Sequence, residues 1–252
     1  MVIITEVTQQ KTKSMTRIFF ALMFSFIALF SVNAQLKIYP VSSGEFIFNV
    51  ANVDAELGGE VQSLNTNMRF SGFLNFEQDW HFDVSNAFGF YTGFGFRNIG
   101  LIIEDPGYDD MTGIDYDKVK RRSYTLGVPF SFKFGNFDNN LYFFAGGEIE
   151  MLFHYKEKYW MNGTKYKSKE WFSKKTERWA PSVFAGVQFP GGGFMKFKYY
   201  FNDFLNHDYK EGIYDFTSLK KSSMWYISIG WRFRTFRAKQ VTKKEFYQMA
   251  MK

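Results

Sequence analysis

The chain contains no cysteine. Disulfide stapling and lipid anchoring through a Cys are therefore excluded. An exported chain of this size has to be held by its core or by a closed, hydrogen-bonded sheet. Long apolar runs are also missing after residue 30, which argues against a helical membrane protein. No stretch rich in Pro, Gly or Ser divides the chain, so a single domain is expected. Histidine is scarce, at three residues, and no Gly-x-Ser-x-Gly nucleophile motif is present.

The one apolar run, residues 18–30, follows Arg17 and precedes Ser31-Val32-Asn33-Ala34-Gln35. A charged start, an apolar core and a small-residue cleavage site are the layout of a secretory signal peptide, expected to be cut after Ala34. The run is short for a spanning helix, which needs about 20 residues. Residues 1–14 form a long preface, and Met15 is a better-placed signal start. Removing residues 1–34 takes away Lys11, Lys13, Arg17 and Glu6 and lowers the net charge from +6 to +4. That mild excess sits mostly in one loop and in the tail and makes no case for nucleic-acid binding.

What the chain does have is aromatic residues, 21% of the total, many of them on one face of alternating runs. In residues 118–155, Tyr124, Leu126, Val128, Phe130, Phe132 and Phe134 share one face, against Ser123, Thr125, Gly127, Pro129, Ser131 and Lys133. A turn-rich segment, 135–140, follows. Then Leu141, Phe143, Ala145, Gly147, Ile149, Met151 and Phe153 oppose Tyr142, Phe144, Gly146, Glu148, Glu150 and His154. A period of two over about a dozen residues signals strands long enough to span a membrane, where about 9–11 residues are needed.

The same pattern predicts strands at 45–53, 67–77, 88–104, 176–189, 194–204 and 222–235. Residues 35–43 read as a lead-in, 54–66 as an outer loop and 78–87 as a turn. Near Asn98 the apolar parity passes to Ile99, Leu101 and Ile103, for which a β-bulge is the natural explanation. Asn162-Gly163 between strand-like residues predicts a hairpin. Short turns at 135–140 and 190–193 alternate with long loops at 105–117, 156–175 and 205–221. Outer-membrane barrels show this asymmetry, and eight strands would leave both termini periplasmic. The expected architecture is all-β: one eight-stranded antiparallel transmembrane β-barrel over 44–235, with a signal peptide at 1–34 and a basic tail at 236–252. The aromatic faces are too bulky for an eight-stranded interior and must point outward.

The chain resembles the small outer-membrane β-barrel proteins of Gram-negative bacteria, the broad OmpA-like, OmpW-like and PorT-like group. The likeness spans 45–235. It rests on the signal ending Asn33-Ala34-Gln35, the alternating strands and the final strand Trp225-Tyr226-Ile227-Ser228-Ile229-Gly230-Trp231-Arg232-Phe233. That strand is similar to the aromatic-ended assembly signal read by the barrel-insertion machinery, here Gly230, Trp231 and Phe233. In the family it usually closes the chain, whereas here Arg234 and the tail follow. The group is functionally mixed, so the resemblance implies location and fold rather than activity.

The inward faces would gather Arg69, Arg97, Lys133, Arg178, Lys196, Lys198 and Arg232 with Glu77, Glu148 and Glu150. Buried charges must pair or meet water, so a plugging ion-pair network is one reading and a small cation-lined pore is another. Asp109, Asp110, Asp115 and Asp117 in the acidic loop are oxygen ligands of the type Ca²⁺ takes, but their spacing departs from the EF-hand pattern. A solvated loop is the simpler reading. The basic, aromatic loop 156–175 could contact lipopolysaccharide or glycan. Among His81, His154 and His207, His154 shares a face with Glu150, and a lipid A hydrolase or acyltransferase would use such a pair with a Ser. The tail could stay disordered or dock on a partner or an anionic inner-leaflet surface. The expectation is a non-enzymatic barrel without a cofactor, acting as a scaffold or accessory subunit, with a small-solute pore as the alternative. Its expected partners are outer-membrane lipid, lipopolysaccharide, the insertion machinery and other envelope proteins.

Overall fold

The computed structural model describes residues 36–104, 117–212, 214–234 and 239–240. The signal segment, Asp109, Asp110, Asp115 and most of the tail lie outside the described residues. Eight strands form a ring: β1 (Lys37–Leu57), β2 (Phe76–Asp83), β3 (Phe88–Ile103), β4 (Lys118–Asn136), β5 (Leu141–Met161), β6 (Trp179–Gln188), β7 (Gly193–Tyr200) and β8 (Leu219–Arg234). Each pairs antiparallel with the next, and β8 pairs with β1 over a register running from Val41↔Arg234 to Ala55↔Leu219. Closure leaves the ring without a free edge, which a chain crossing hydrocarbon requires.

The alternation in sequence sets the two surfaces. Phe76, Phe94, Phe130, Phe132, Phe143, Ile149, Phe197, Ile229 and Trp231 face outward and are exposed. They stack across strands, as in Phe76–Phe96 at 5.2 Å and Phe82–Phe90 at 4.9 Å between ring centroids. In water each such side chain would forgo about 1.5–3 kcal/mol of burial. Along β4 the outward apolar row runs from Tyr124 to Phe134. The ten residue steps between them, along a tilted strand, give a band about 25 Å tall, the height of the apolar band of outer-membrane barrels.

Several boundaries differ from the sequence expectation. The lead-in 35–43 is strand from Lys37, because Tyr39, Val41, Ser43 and Glu45 continue the inward row of β1. The outer loop 54–66 is partly a second ribbon, with Glu60–Ser63 folded back on β1. The second strand is broken after Arg69–Ser71 and resumes as β2, so the segment 78–87 is strand as far as Asp83. Its inward Asp79, His81 and Asp83 look like turn residues only until their partners are known. There is no bulge near Asn98. The β3–β4 register stays constant from Phe88↔Phe134 to Ile103↔Val119, and Ile99, Leu101 and Ile103 simply extend the inward row of Gly95 and Arg97. The lumen changes character there, while the strand keeps its parity.

The interior is therefore layered. At the short-turn end Tyr91, Phe137, Tyr142, Phe144, Phe184 and Phe194 pack together. Charged side chains fill the middle. Toward the long-loop end Ile47, Val53, Ile99, Leu101, Leu152 and Leu219 form an apolar core, closed by Phe204, Leu205 and Phe216 from the connection between β7 and β8.

Candidate functional site

The central layer is built from inward positions of seven strands. Arg97 on β3 is fully buried and meets four carboxylates. Its Nε donates to Glu45 Oε1 at 2.8 Å, its Nη2 pairs with Glu77, and its Nη1 pairs with Glu148 and lies 3.2 Å from Glu150 Oε1. From β7, Lys196 Nζ lies 2.9 Å from Glu45 Oε2, and Lys198 Nζ lies 2.7 Å from Glu148 Oε2 and 3.2 Å from Glu150 Oε2. Ser228 donates to Glu45 at 2.6 Å and Thr125 to Glu150 at 3.2 Å. Glycine makes this layer possible. A Cβ on Gly127 would collide with the side chains of Glu148 and Glu150, and one on Gly95 with the Arg97 guanidinium.

The grouping of Glu77, Arg97, Glu148, Glu150, Lys196 and Lys198 follows the sequence expectation. Glu45 was missed, although Phe46 and Phe48 on the opposite face already assigned it inward. The other expected members fall elsewhere. Lys133 lies nearer the short turns, paired with Asp83, 2.9 Å from Tyr39 Oη and 3.0 Å from His81 Nδ1. Arg232 donates to Tyr91 at 3.0 Å and Tyr142 at 3.4 Å and lies 4.3 Å from the Phe144 ring. Arg69 is buried apart from the carboxylates, with its guanidinium on the Asn98 carbonyl at 2.9 Å and Oδ1 at 2.6 Å. Arg178 is a correction. It precedes β6, is exposed, and lies over Phe172 at 5.0 Å instead of facing the lumen.

His154 is a second correction. The β4–β5 register shifts between Tyr124↔His154 and Thr125↔Leu152, so Phe153 is an extra residue. The bulge turns His154 away from Glu150 to the outer face, where it stacks on Trp171 at 4.3 Å and Tyr124 at 5.6 Å. His207 Nε2 lies 3.1 Å from Ser222 Oγ and 3.8 Å from Asp203 Oδ2. One ring nitrogen faces both groups, so the pair is not oriented as a proton relay. Among the described residues no His, Asp and Glu group is spaced to hold a metal ion. Asp117 instead accepts from the Gly163 amide at 3.2 Å. Trp231 and Phe233 of the expected assembly signal lie on the outer face, and Gly230 lies opposite Glu45 and Phe194. A cavity of about 360 Å³ opens at the short-turn end beside Tyr39, Tyr142, Arg232 and Arg234, and no member of the central layer lines it.

A closed ring with an apolar outer band and a charged, filled interior defines a transmembrane β-barrel. It is the fold of the small outer-membrane barrels that the sequence resembled. Among solved structures, the chain is similar to Ail, the attachment invasion locus protein of Yersinia pestis, at 14% identity and a TM-score of 0.31, over 76% of this chain and 98% of that one. It is also similar to Neisserial surface protein A, at 9% identity and a TM-score of 0.32, over 80% and 97% of the two chains. A third is the outer membrane protein OprG from Pseudomonas aeruginosa, at 9% identity and a TM-score of 0.35, over 80% and 98%. No family model matches the chain, and no curated protein matches it.

Proposed function

We propose that the protein is a non-enzymatic outer-membrane barrel whose work is done by the surface it presents beyond the membrane, as a scaffold or accessory subunit of an envelope assembly. One observation carries this reading. The lumen is filled through its depth, with Arg97 and its four carboxylates held between an aromatic layer and an apolar core. A solute would have to displace every layer. The long connections then lie outermost and both termini face the periplasm, as the short turns beside Lys37 and Arg234 favour. The partners in this reading are the surrounding lipid and lipopolysaccharide, the insertion machinery during assembly, and further envelope proteins.

Planar-bilayer recording tests the plug. Refolded protein that shows the heat-dependent gel shift of a closed barrel is expected to give no single-channel steps. Reproducible steps would overturn the filled lumen and favour the small-solute pore. Mild-detergent extraction followed by a native gel tests the accessory role. Migration in a large assembly is expected, and migration as a lone barrel would sink it.

A further inference from the structure

Beyond the apolar band, β4 and β5 run on together. A further strand, Thr164–Trp171, folds back on β5 about Asn162-Gly163, whose φ values of +50° and +73° are ones that an Asn-Gly pair adopts readily. The three strands form a sheet whose register aligns side chains in rows. Tyr124, His154 and Trp171 make the row nearest the band. The next is Arg122, Lys156 and Lys169, then Lys120, Lys158 and Lys167, then Lys118, Trp160 and Lys165. Residues directly opposed across antiparallel strands share a face, so eight cations occupy one face, which points away from the barrel axis. Rows are about 7 Å apart and strands about 4.8 Å apart.

Like charges directly opposed destabilise a sheet, yet the middle row is three lysines. Lys118 pairs with Glu104. Among the described residues no carboxylate lies within ion-pair distance of the other seven cations. The carboxylates of this sheet, Glu157 and Glu170, serve Arg121 and Lys175 instead. Partial desolvation, and then the surrounding cations, hold Lys120 and Lys158 below the ordinary lysine range. Trp160 lies 5.5 Å from Lys120 Nζ and 5.3 Å from Lys165 Nζ, and Tyr124 lies 5.0 Å from Lys156 Nζ. Ring faces offset part of the repulsion but supply no counter-charge.

The aromatic row fixes the level of these cations. Aromatic side chains gather at the membrane–water boundary of barrels, so the first cation row stands at headgroup height and the others above it. We propose that this face binds the phosphate groups of anionic glycolipid headgroups in the surrounding outer leaflet, so that the barrel is clasped sideways by its own membrane. The proposal rests on the reading that the long connections lie outermost.

The test uses full-length protein refolded in detergent micelles and titrated with a bis-phosphorylated acylated disaccharide (lipid A) or its dephosphorylated form, with bound lipid counted by native mass spectrometry. Retention of the phosphorylated form alone is expected. In the variant K156Q/K158Q/K167Q/K169Q retention should fall about six-hundredfold, since each of the four cations near an anionic surface contributes a factor of about five. The variant should keep its heat-dependent gel shift and unfold no earlier in urea, because opposed like charges are removed. Equal retention of the two lipids, no retention of either, or undiminished retention by the variant would overturn the proposal. Binding of soluble polyphosphate without binding of the glycolipid would also overturn it. Labelling of intact cells with a membrane-impermeant amine reagent checks the orientation separately. Unlabelled Lys165 and Lys167 in cells stripped of divalent cations would refute the outward placement whatever the lipid titration gives.

Discussion

Replacing Arg97 by Leu is expected to abolish the compact, heat-shifted form of the barrel. The guanidinium is fully buried and is shared by Glu45, Glu77, Glu148 and Glu150. Without it only Lys196 and Lys198 remain against four carboxylates in a layer closed at both ends. Removing one partner of a buried pair costs about 3–5 kcal/mol, chiefly because the other charge is left uncompensated. With four partners stranded, the loss approaches the whole stability of a small domain, about 5–15 kcal/mol. Urea titration followed by tryptophan fluorescence measures it. The same argument predicts rescue, since Arg97→Leu combined with Glu77→Gln and Glu148→Gln should regain much of the loss by removing the stranded charges. A single Arg97→Leu variant within about 0.5 kcal/mol of the parent, the range of an ordinary surface substitution, would mean that the network carries no weight in folding.

Ile149→Arg is expected to cost about 2–4 kcal/mol in lipid vesicles. Ile149 points outward with 58% of its surface exposed, opposite Val128 at mid-height of the apolar band. An arginine there would face hydrocarbon with no partner. The penalty should depend on depth. Tyr124→Arg, in the aromatic boundary row, should cost about 0–1 kcal/mol by the same measure. Equal and negligible costs at the two positions would show that water bathes the band, and the barrel would then be a soluble one.

The two faces were legible in the sequence because a strand's parity is local. Once Phe130 is outward, Ser131 and Lys133 are inward, whatever the rest of the chain does. The central hairpin, the Asn162-Gly163 turn and most of the charged layer follow from that rule. What escaped depends on neighbours. Asp79, His81 and Asp83 lie on β2, where Trp80 and Phe82 continue the outward parity of Phe76 but the density of polar residues reads locally as a turn. Arg178 shares the parity of Ser182, but the Thr176↔Leu205 bridge ends regular pairing before it and β6 begins at Trp179. The extra residue Phe153 in β5 reverses every side chain after it, and local alternation gives no warning of where it falls. The apparent slip at Asn98 has a different origin. The interior asks for charge at one depth and hydrocarbon at another, so residue type changed while geometry did not.

The pairing of β1 with β8 joins residues nearly two hundred positions apart. The central layer draws Glu45 from the first strand, Arg97 from the third, Lys196 from the seventh and Ser228 from the last. No contiguous piece of the chain can complete it. A partly inserted chain would carry uncompensated charge toward lipid, so intermediates lacking the last hairpin gain little from the strands already paired. Assembly should therefore be slow, as befits contacts so distant in sequence, and all-or-none. Once the ring has shut, reopening any one seam must expose the whole layer at once, and the barrel is sealed kinetically as well as thermodynamically.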